Sequence, residues 1–370
     1  MKKPILNSCD SYQLEPFEYQ WAWDMAREQE NNTWTPEEIQ VSADIALYRS
    51  GNCPVSECHL FEALMSQLTT FDIQRGDDAA ETFLQIIQPA ELKHYLKRLI
   101  WDEALHTRSY RYIIENLGID LEIYNRWKTV PAIKARIDYA NQISSGLHEI
   151  LWDLYAAEHE LLGSKTFVEN VETFWDIDRK QTILYSMIFW FMIFEGIWFM
   201  LNLKGPLQAL ARRGLFLGAA EQFQYIARDE QSHVQFGHNL IKEFLNQHPE
   251  IWTKDFKVKI IQLFYNGIQL EEDYAKYCQF AGPILGYSII DHVETARFFA
   301  NLKAKALGLP EFFPYASHRF PWMSEQIELR KEKNFFETRP TEYQTGGALA
   351  WDEADPYQED MFSHLNQEIK

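Results

Sequence analysis

Two short segments of the chain repeat the same pair of side chains, a glutamate followed three positions later by a histidine. Glu103 and His106 form the first pair, and Glu230 and His233 form the second. Residues three apart lie on one face of a helix, so each pair can offer a carboxylate and an imidazole to one metal ion. A single pair is usually incidental to an amphipathic helix. Two pairs within two long helical patterns favour a shared metal site.

A site for two metal ions needs more carboxylates, and the chain has two suitable candidates. Asp72 lies 31 residues before Glu103, and Glu195 lies 35 residues before Glu230. These separations suit two neighbouring helices and the connection between them. Two Glu-x-x-His motifs, with one carboxylate from each of two further helices, form the di-metal site of ferritin-like bundles.

A tyrosine lies on the same predicted helix face as the first motif. Tyr110 is one turn beyond His106 and about 20° around the helix axis from Glu103. Seven residues past Glu230 stands Gly237, so the second motif has no matching phenol. Oxygen-rich sites with imidazole ligands suit iron or manganese, and a pair of such metals can reduce O2 and oxidise a nearby phenol. This asymmetry favours one stored radical over a symmetric iron-storage centre.

Two other groupings of ligand residues have weaker support. Glu91 and His94 form a third Glu-x-x-His motif, but no second motif pairs with it, and we expect both residues on the surface. Cys53, Cys58 and His59 resemble half of a zinc site, but the chain has no matching half. Four cysteines without a Cys-x-x-Cys motif fit free thiols in a reducing compartment.

The elements that must position these residues all have helical patterns. Alternating strand patterns of useful length are absent, as are the turn sequences typical of hairpins. We therefore predict an all-α protein, a ferritin-like helical bundle in one domain. A break is expected at residues 75–78. Residues 1–30 carry no strong periodicity and are expected to wrap the surface. Helices are predicted over residues 36–49, 55–74, 90–116, 132–162, 166–178, 180–213, 216–246, 253–280 and 286–307.

One segment has the length and composition of a membrane helix. Residues 183–203 are almost entirely apolar, and about 20 such residues can cross a bilayer. Glu195 lies near the middle of the segment, where an ionisable group is costly unless it is paired or bound to metal. The chain has no second segment of this kind. We therefore expect the buried central helix of a soluble bundle and no membrane partner.

The overall composition excludes further classes of partner. The chain has 370 residues, 46% of them hydrophobic, which is enough for a large core. Its formal net charge is −19, and it has no long cluster of lysine and arginine, which argues against nucleic acid as a partner. The first residues lack the apolar run of a signal peptide. We expect a cytoplasmic protein.

The sequence changes character after about residue 335. Residues 338–370 lack a sustained helical period and are acidic, so a mobile tail is expected. This tail also holds several aromatic and aliphatic residues, as do tails that fold onto a partner, although chance aromatics in a disordered end remain an alternative. We divide the chain into an N-terminal extension (1–33), a helical domain (34–335) and a tail (336–370).

In combination, these motifs resemble the small, radical-generating subunit of class I ribonucleotide reductase. The resemblance extends over roughly residues 30–345, and it implies a ribonucleoside-diphosphate reductase β subunit. The matching segments are Trp34-Thr-Pro-Glu-Glu, Asp72, Glu103-Ala-Leu-His-Thr-Arg-Ser-Tyr110, Phe194-Glu-Gly-Ile-Trp198, Ala227-Arg-Asp-Glu-Gln-Ser-His233 and Phe335-Phe-Glu-Thr-Arg-Pro-Thr-Glu-Tyr343.

The resemblance implies two metal ions, with O2 needed for their activation. Di-iron is the expected cofactor, and di-manganese or a mixed manganese–iron pair are the alternatives. Two carboxylates, Glu103 and Glu230, are expected to bridge the metals. One metal ion is expected to bind Asp72, Glu103 and His106, and the other Glu195, Glu230 and His233.

The resemblance also implies a route for the radical inside the subunit. Tyr110 matches the tyrosine that carries the radical. Trp34 and Asp229 match the internal electron and proton route that runs from the metal ligand His106 to the surface. We therefore expect Trp34 and Asp229 to connect His106 to the surface.

The resemblance further implies partners and a role for the tail. Tyr343 matches the tail tyrosine that relays the radical to the large subunit, and Glu337 matches an acidic residue that supports the relay. The final residues resemble the tail that docks on the large (α) subunit. We expect a homodimer that binds this large subunit through its tail, with no nucleic acid involved.

Two departures from the family pattern and two alternative functions remain open. The long tail beyond Tyr343 differs from that of many members, so its contact residues are not assigned. The interval between Glu195 and Glu230 is one residue longer than is usual, and an insertion at residues 202–206 or a π-bulge would absorb it. A stand-alone di-metal oxidase or oxygenase would need the metals but neither Trp34 nor Tyr343. In a ferritin-like storage or structural bundle, Tyr110 would be ordinary core.

Overall fold

The computed structural model describes residues 3–6, 14–158 and 174–323. About 78% of the structure is helical and no strand is present in this part of the chain. An isolated bridge between Ile284 and Tyr287 is the β-type pairing found there. The predicted all-α class is confirmed.

The helices follow one another with short connections. Single 3₁₀ turns lie at Pro36–Glu38, Leu121–Asn125 and Pro249–Ile251. Two π-helical segments, Arg75–Ala80 and Ile188–Phe199, continue the helices before them. The α-helices are α1 (Gln20–Asn31), α2 (Ser42–Arg49), α3 (Val55–Gln74), α4 (Glu81–Ile86), α5 (Ala90–Leu117), α6 (Arg126–Thr129), α7 (Pro131–Glu158), α8 (Ile177–Met187), α9 (Met200–Lys204), α10 (Pro206–Ala211), α11 (Leu217–Gln247), α12 (Lys254–Cys278) and α13 (Ile289–Ala306).

Four long elements form the centre of the bundle and carry the candidate ligands. Helix α3 packs against α5, and α5 also packs against α11. The π-helical segment Ile188–Phe199 packs against α11, α12 and α13. Helix α1 covers the outer side of α5. Local signals set the ends of these elements: α5 stops at Gly118, which adopts a left-handed φ of 76° and donates its N–H to the carbonyl of Ile114.

The long apolar segment is the buried core of this arrangement. The continuous helical stretch Ile177–Ala211 is apolar and long enough to cross a membrane, but 94% of its most apolar window is buried inside the protein. Its aromatic side chains pack together, and Trp198 donates its indole N–H to the carbonyl of Gly267 at 3.0 Å. The structure therefore agrees with the expected central helix, which is apolar all round because it is enclosed all round.

The structure differs from expectation at residues 75–78 and in the first 31 residues. The predicted break at 75–78 is wrong, because the chain continues through it as a π-helical turn that joins α3 to α4. Helix α1 was not expected, because it buries only a narrow stripe that includes Ala22 and Ala26. Such a stripe gives a weak periodic signal.

The expected surface position of the third Glu-x-x-His motif is wrong for Glu91. This side chain is fully buried, and its carboxylate accepts hydrogen bonds from the backbone N–H groups of Glu18 at 2.8 Å and Tyr19 at 3.4 Å. His94 is partly exposed and stacks on Trp23. The motif thus fixes the start of α1 and is not a metal site.

Candidate metal centre

Six buried side chains bring their ligand atoms together in two overlapping groups. Within each group, one ligand atom from every residue lies within 4.8 Å of the others. All six are residues that the sequence motifs select. The first group is Asp72, Glu103, His106 and Glu230, and the second is Glu103, Glu195, Glu230 and His233.

Each side chain comes from the middle or end of a long helical element. Asp72 lies near the end of α3, and Glu195 lies in the π-helical segment Ile188–Phe199. The two Glu-x-x-His pairs lie on α5 and α11. All six side chains are at most 2% exposed, so the cluster is closed off from solvent by the bundle.

Glu103 and Glu230 belong to both groups because each turns one oxygen toward each histidine. Glu103 Oε2 lies 3.6 Å from Nδ1 of His106, and its Oε1 lies 3.5 Å from Nδ1 of His233. Glu230 Oε1 lies 3.3 Å from Nδ1 of His106, and its Oε2 lies 3.4 Å from Nδ1 of His233. Two carboxylates in this orientation can each join two metal ions.

Two aspartates hold the histidine rings from behind, and they cross over between the helices. Asp229 on α11 places Oδ2 3.4 Å from Nε2 of His106 on α5. Asp102 on α5 places Oδ2 3.4 Å from Nε2 of His233 on α11. A proton on each Nε2 leaves Nδ1 of both rings as a free ligand atom facing the carboxylates.

Sequence reasoning missed Asp102, although a signal for it exists. Both motifs read Asp-Glu-x-x-His, with Asp102 before Glu103 and Asp229 before Glu230. The aspartate before Glu103 contacts His233, and the aspartate before Glu230 contacts His106. Arg98 in turn forms an ion pair with Asp102 at 2.6 Å.

The electrostatics of the cluster show a shortage of positive charge. Burial raises the pKa of Asp72 well above its ordinary value, and the charge of Glu103 adds to this. Burial also raises the pKa of Glu103, helped by the charge of Glu230. The pKa of His106 lies well above its usual range, because Asp229 and Glu103 outweigh the opposing effect of burial. Without cations, the cluster must therefore take up protons.

The donor set fits two divalent cations. Most of the ligand atoms have no other hydrogen-bond partner, although they are buried. They are the two oxygens each of Asp72, Glu103 and Glu230, Oε2 of Glu195, and Nδ1 of His106 and of His233. Four carboxylates offset two divalent charges, and nitrogen with oxygen ligands suits iron or manganese.

Tyr110 lies beside the first group and is fully buried. Its ring meets Phe223 edge to face, with ring centres 5.6 Å apart. Its hydroxyl has no hydrogen-bond partner in the described part of the chain. Burial raises the pKa of Tyr110 well above its ordinary value, and the negative charge of Asp72 adds to this, so the phenol holds its proton.

The position that matches Tyr110 in the second motif is closed by packing. A Cβ atom on Gly237 would lie 2.1 Å from Cγ of Phe191. No side chain fits there without moving the π-helical segment. The second motif therefore carries no tyrosine at the matching position for a steric reason.

Trp34, Asp229 and His106 form one connected chain. Trp34 donates its indole N–H to Oδ2 of Asp229 at 2.7 Å, and the same oxygen faces Nε2 of His106. The Trp34 ring is 3% exposed and stacks on Tyr225, with ring centres 5.4 Å apart. Arg228 donates to Oδ1 of Asp229 at 3.1 Å.

Comparison with known proteins identifies the family. The family model described as "Ribonucleotide reductase, small chain" matches residues 11–321. The chain belongs to this family. A ribonucleoside-diphosphate reductase subunit beta from Chlamydia pneumoniae is 32% identical over 348 residues, which is 93% of each chain. The protein is thus a small subunit of ribonucleotide reductase.

Solved structures of this family share the ferritin-like fold. A ribonucleotide reductase R2 subunit from Clostridium botulinum has a TM-score of 0.70 at 23% identity, covering 88% of this chain and 98% of that one. An R2-like ligand-binding oxidase with a reconstituted Mn/Fe cofactor has a TM-score of 0.58 at 17% identity, covering 81% of this chain and 97% of that one. At these identities the likeness extends to the fold alone.

The structure has one of the two features expected in the interval between Glu195 and Glu230, a π-helical segment. Glu195 lies within the π-helical segment Ile188–Phe199, where the wider turn takes up extra residues. The chain also bends at Gly205, between α9 and α10. Glu337 and Tyr343 lie outside the described residues, so their expected roles stay predictions.

Proposed function

We propose that this small subunit generates and stores a radical on Tyr110 with a di-metal centre, and passes the oxidising equivalent to a large subunit that reduces ribonucleoside diphosphates. The observation that supports this most directly is the pair of overlapping ligand groups with Tyr110 buried beside the first. A storage centre has no need of that phenol or of the Trp34–Asp229 chain.

Asp72, Glu103, His106 and Glu230 would hold the first metal ion, and Glu103, Glu195, Glu230 and His233 the second. When bound, these two ions supply the electrons that reduce O2. We propose di-iron, and the Mn/Fe cofactor of the R2-like oxidase supports a mixed pair as the alternative. Burial of the cluster inside the bundle keeps bulk water away from it.

Tyr110 holds its proton on the phenol oxygen until the ring loses an electron. The Asp72 carboxylate is a suitable base for this proton, since its charge acts on the phenol. Burial of the ring then protects the radical from reductants in solvent.

The chain of Trp34, Asp229 and His106 provides a route between the cluster and the outside. The indole supplies an oxidisable ring, and the Asp229 carboxylate keeps both neighbouring N–H groups oriented. The short distance from Trp34 to Asp229 supports coupled movement of an electron and a proton. We propose that oxidising equivalents leave, and reducing electrons enter, along this chain.

The partners follow from the family. A small subunit of ribonucleotide reductase pairs with a large subunit. We propose in addition a homodimer, docking through residues 336–370, and relay through Tyr343 with support from Glu337. A cytoplasmic location fits the free thiols of Cys53, Cys58 and Cys278.

Replacing Tyr110 with Phe tests the function, because it removes only the phenol oxygen. We expect the variant to bind two metal ions and consume O2, while the persistent radical and deoxyribonucleotide formation are lost. Metal analysis and electron paramagnetic resonance (EPR) after activation in air measure the first two properties. An assay with the purified large subunit measures the third. A fully active variant would contradict the assignment of Tyr110.

The stand-alone oxidase is the second candidate, because an R2-like oxidase shares the fold. It requires no large subunit and no stored radical. Oxidation of a small or lipid substrate by the wild-type protein alone, without any radical signal, would favour this candidate.

A further inference from the structure

A buried arginine lies against one ligand of the second metal position. Arg75 is fully buried, and its Nε lies 2.5 Å from Oε1 of Glu195. Arg75 is the first residue of the π-helical segment Arg75–Ala80, and Glu195 lies in the other π-helical segment. The two wide turns of the bundle therefore meet at this ion pair.

The arginine has no other polar anchor in the described part of the chain. Its Nη1 and Nη2 atoms have no hydrogen-bond partner there. The guanidinium lies over the ring of Phe191, 4.6 Å from its centre, and 5.8 Å from that of Trp190. Because a guanidinium stays charged in proteins, Arg75 places a fixed positive charge beside the ligands.

This charge breaks the symmetry of the cluster. Each histidine has one arginine behind it, since Arg228 pairs with Asp229 behind His106 and Arg98 pairs with Asp102 behind His233. Among the residues that the structure describes, Arg75 has no counterpart at the first position. Beside Asp72, that position has a neutral phenol instead.

The contact also decides which oxygen of Glu195 is free. Oε1 lies in the ion pair and 3.9 Å from Nδ1 of His233. Oε2 is buried and has no partner. A carboxylate held in this way can offer one oxygen to a metal ion, and it cannot rotate to chelate or bridge without losing the arginine.

We propose that Arg75 is a positioning residue for the second metal position. It holds Glu195 as a one-oxygen ligand, and its charge makes this position bind a divalent cation more weakly than the first. The two positions then fill in order, first at Asp72 and then at Glu195. This inference rests on the proposed di-metal function.

Titration of the metal-free, full-length protein with Mn²⁺ tests the order of filling. The EPR signal of free Mn²⁺ gives the dissociation constants of both steps. We expect two unequal steps for the wild type. In Arg75→Gln, the ratio of the second constant to the first should fall by about tenfold, because one nearby like charge is gone. Arg75→Lys keeps the charge and should keep two unequal steps.

Arg136 provides a matched control. It is also fully buried, forms an ion pair with Glu271 at 2.7 Å and lies over the ring of Trp198, but it touches no ligand. Arg136→Gln should lower the melting temperature while leaving the ratio of the two constants unchanged. A ratio that changes equally in Arg136→Gln and Arg75→Gln would overturn the proposal, since general loosening would then explain it.

A crystal structure of the Mn²⁺-loaded wild type gives an independent answer, even if Arg75→Gln does not fold. The expected result is one Glu195 oxygen on the metal and the other on Arg75. Two Glu195 oxygens on metal, with Arg75 turned away, would overturn the inference. Failure of the wild type to bind any Mn²⁺ or Fe²⁺ would instead overturn the proposed function. Two bound ions with an unchanged ratio in Arg75→Gln would overturn only the role of Arg75.

Discussion

Two clusters of buried charged side chains lie in the same helical core, and they differ in how the negative charge of their carboxylates is balanced. In the first cluster, Glu271 forms an ion pair with Arg136 at 2.7 Å. Its other oxygen lies 2.6 Å from Nε2 of His292 and accepts from the Asn202 amide at 3.0 Å. Burial raises the pKa of Glu271, but the charges of Arg136 and His292 lower it by more. The pKa of Glu271 therefore lies below its ordinary value.

The metal cluster has the opposite balance. It gathers four carboxylates, and Arg75 is the one arginine in contact with any of them among the described residues. Burial, with mutual repulsion, raises the pKa of Asp72, Glu103 and Glu195. Glu271 has its counter-charges inside the chain, so its role is to stabilise the fold. The metal cluster lacks them, so its order depends on cations or protons from outside.

The largest expected effect is the loss of a shared ligand. Glu230→Ala removes one carboxylate from both metal positions, so we expect loss of both ions, of the radical and of turnover. The metal-free protein should keep its fold, because the change also relieves repulsion. Metal analysis, EPR and circular dichroism measure these outcomes. Glu115→Ala, at a half-exposed surface pair on α5, is the control, and full metal content in Glu230→Ala would contradict the site.

Removal of the carboxylate from the other cluster should act on stability instead. Glu271→Ala leaves Arg136 buried and unpaired, which typically costs about 3–5 kcal/mol. We expect this loss in the unfolding free energy measured in urea, with unchanged metal affinity in the protein that remains folded. Glu272→Ala is the matched control, because this neighbour forms partly exposed pairs with Lys276 and Arg297, each worth about 1 kcal/mol or less. A change below about 1 kcal/mol in Glu271→Ala would contradict the comparison.

The sequence was sufficient to predict the helical fold and the six side chains that converge in the core, because both leave periodic signals. A Glu-x-x-His spacing and a long apolar helix can be read along one element. Contacts between elements leave no such signal. Arg75 lies in a segment that looks like a break, and Glu91 in a motif that looks incidental, since their partners are 120 and 73 residues away in the chain.

A smaller effect is expected from the aspartates behind the histidines. Asp102 orients His233, and such outer partners of metal ligands typically contribute about 10–100-fold to metal affinity. Asp102→Asn can still accept the imidazole proton, so we expect about tenfold weaker binding at the second position. Asp102→Ala cannot, and it should approach about 100-fold. Mn²⁺ titration measures both, with the exposed Asp138→Ala as the control, and equal affinity in all three variants would exclude this role.

The smallest expected effect is a pH dependence to which the metal cluster contributes and the Glu271 cluster does not. Burial raises the pKa of Glu195 to about 8. The pKa of His233 also lies well above its ordinary value, because Asp102 and Glu230 outweigh burial. The folded, metal-free protein therefore binds more protons than the unfolded chain up to about pH 8, and the stability this gives is lost as the pH rises. Glu271 has a lowered pKa, so its contribution is already complete at pH 6 and stays constant.

The unfolding free energy of the metal-free protein should thus fall by about 1–2 kcal/mol between pH 6 and pH 8. Metal ions displace the same protons and bind better as the pH rises, so the loaded protein should show no such fall. Urea unfolding at pH 6, 7 and 8, with and without metal, measures both. Glu271 provides no compensating change in this range. A metal-free protein whose stability rises toward pH 8 would mean that the cluster carries its counter-charge within the chain after all.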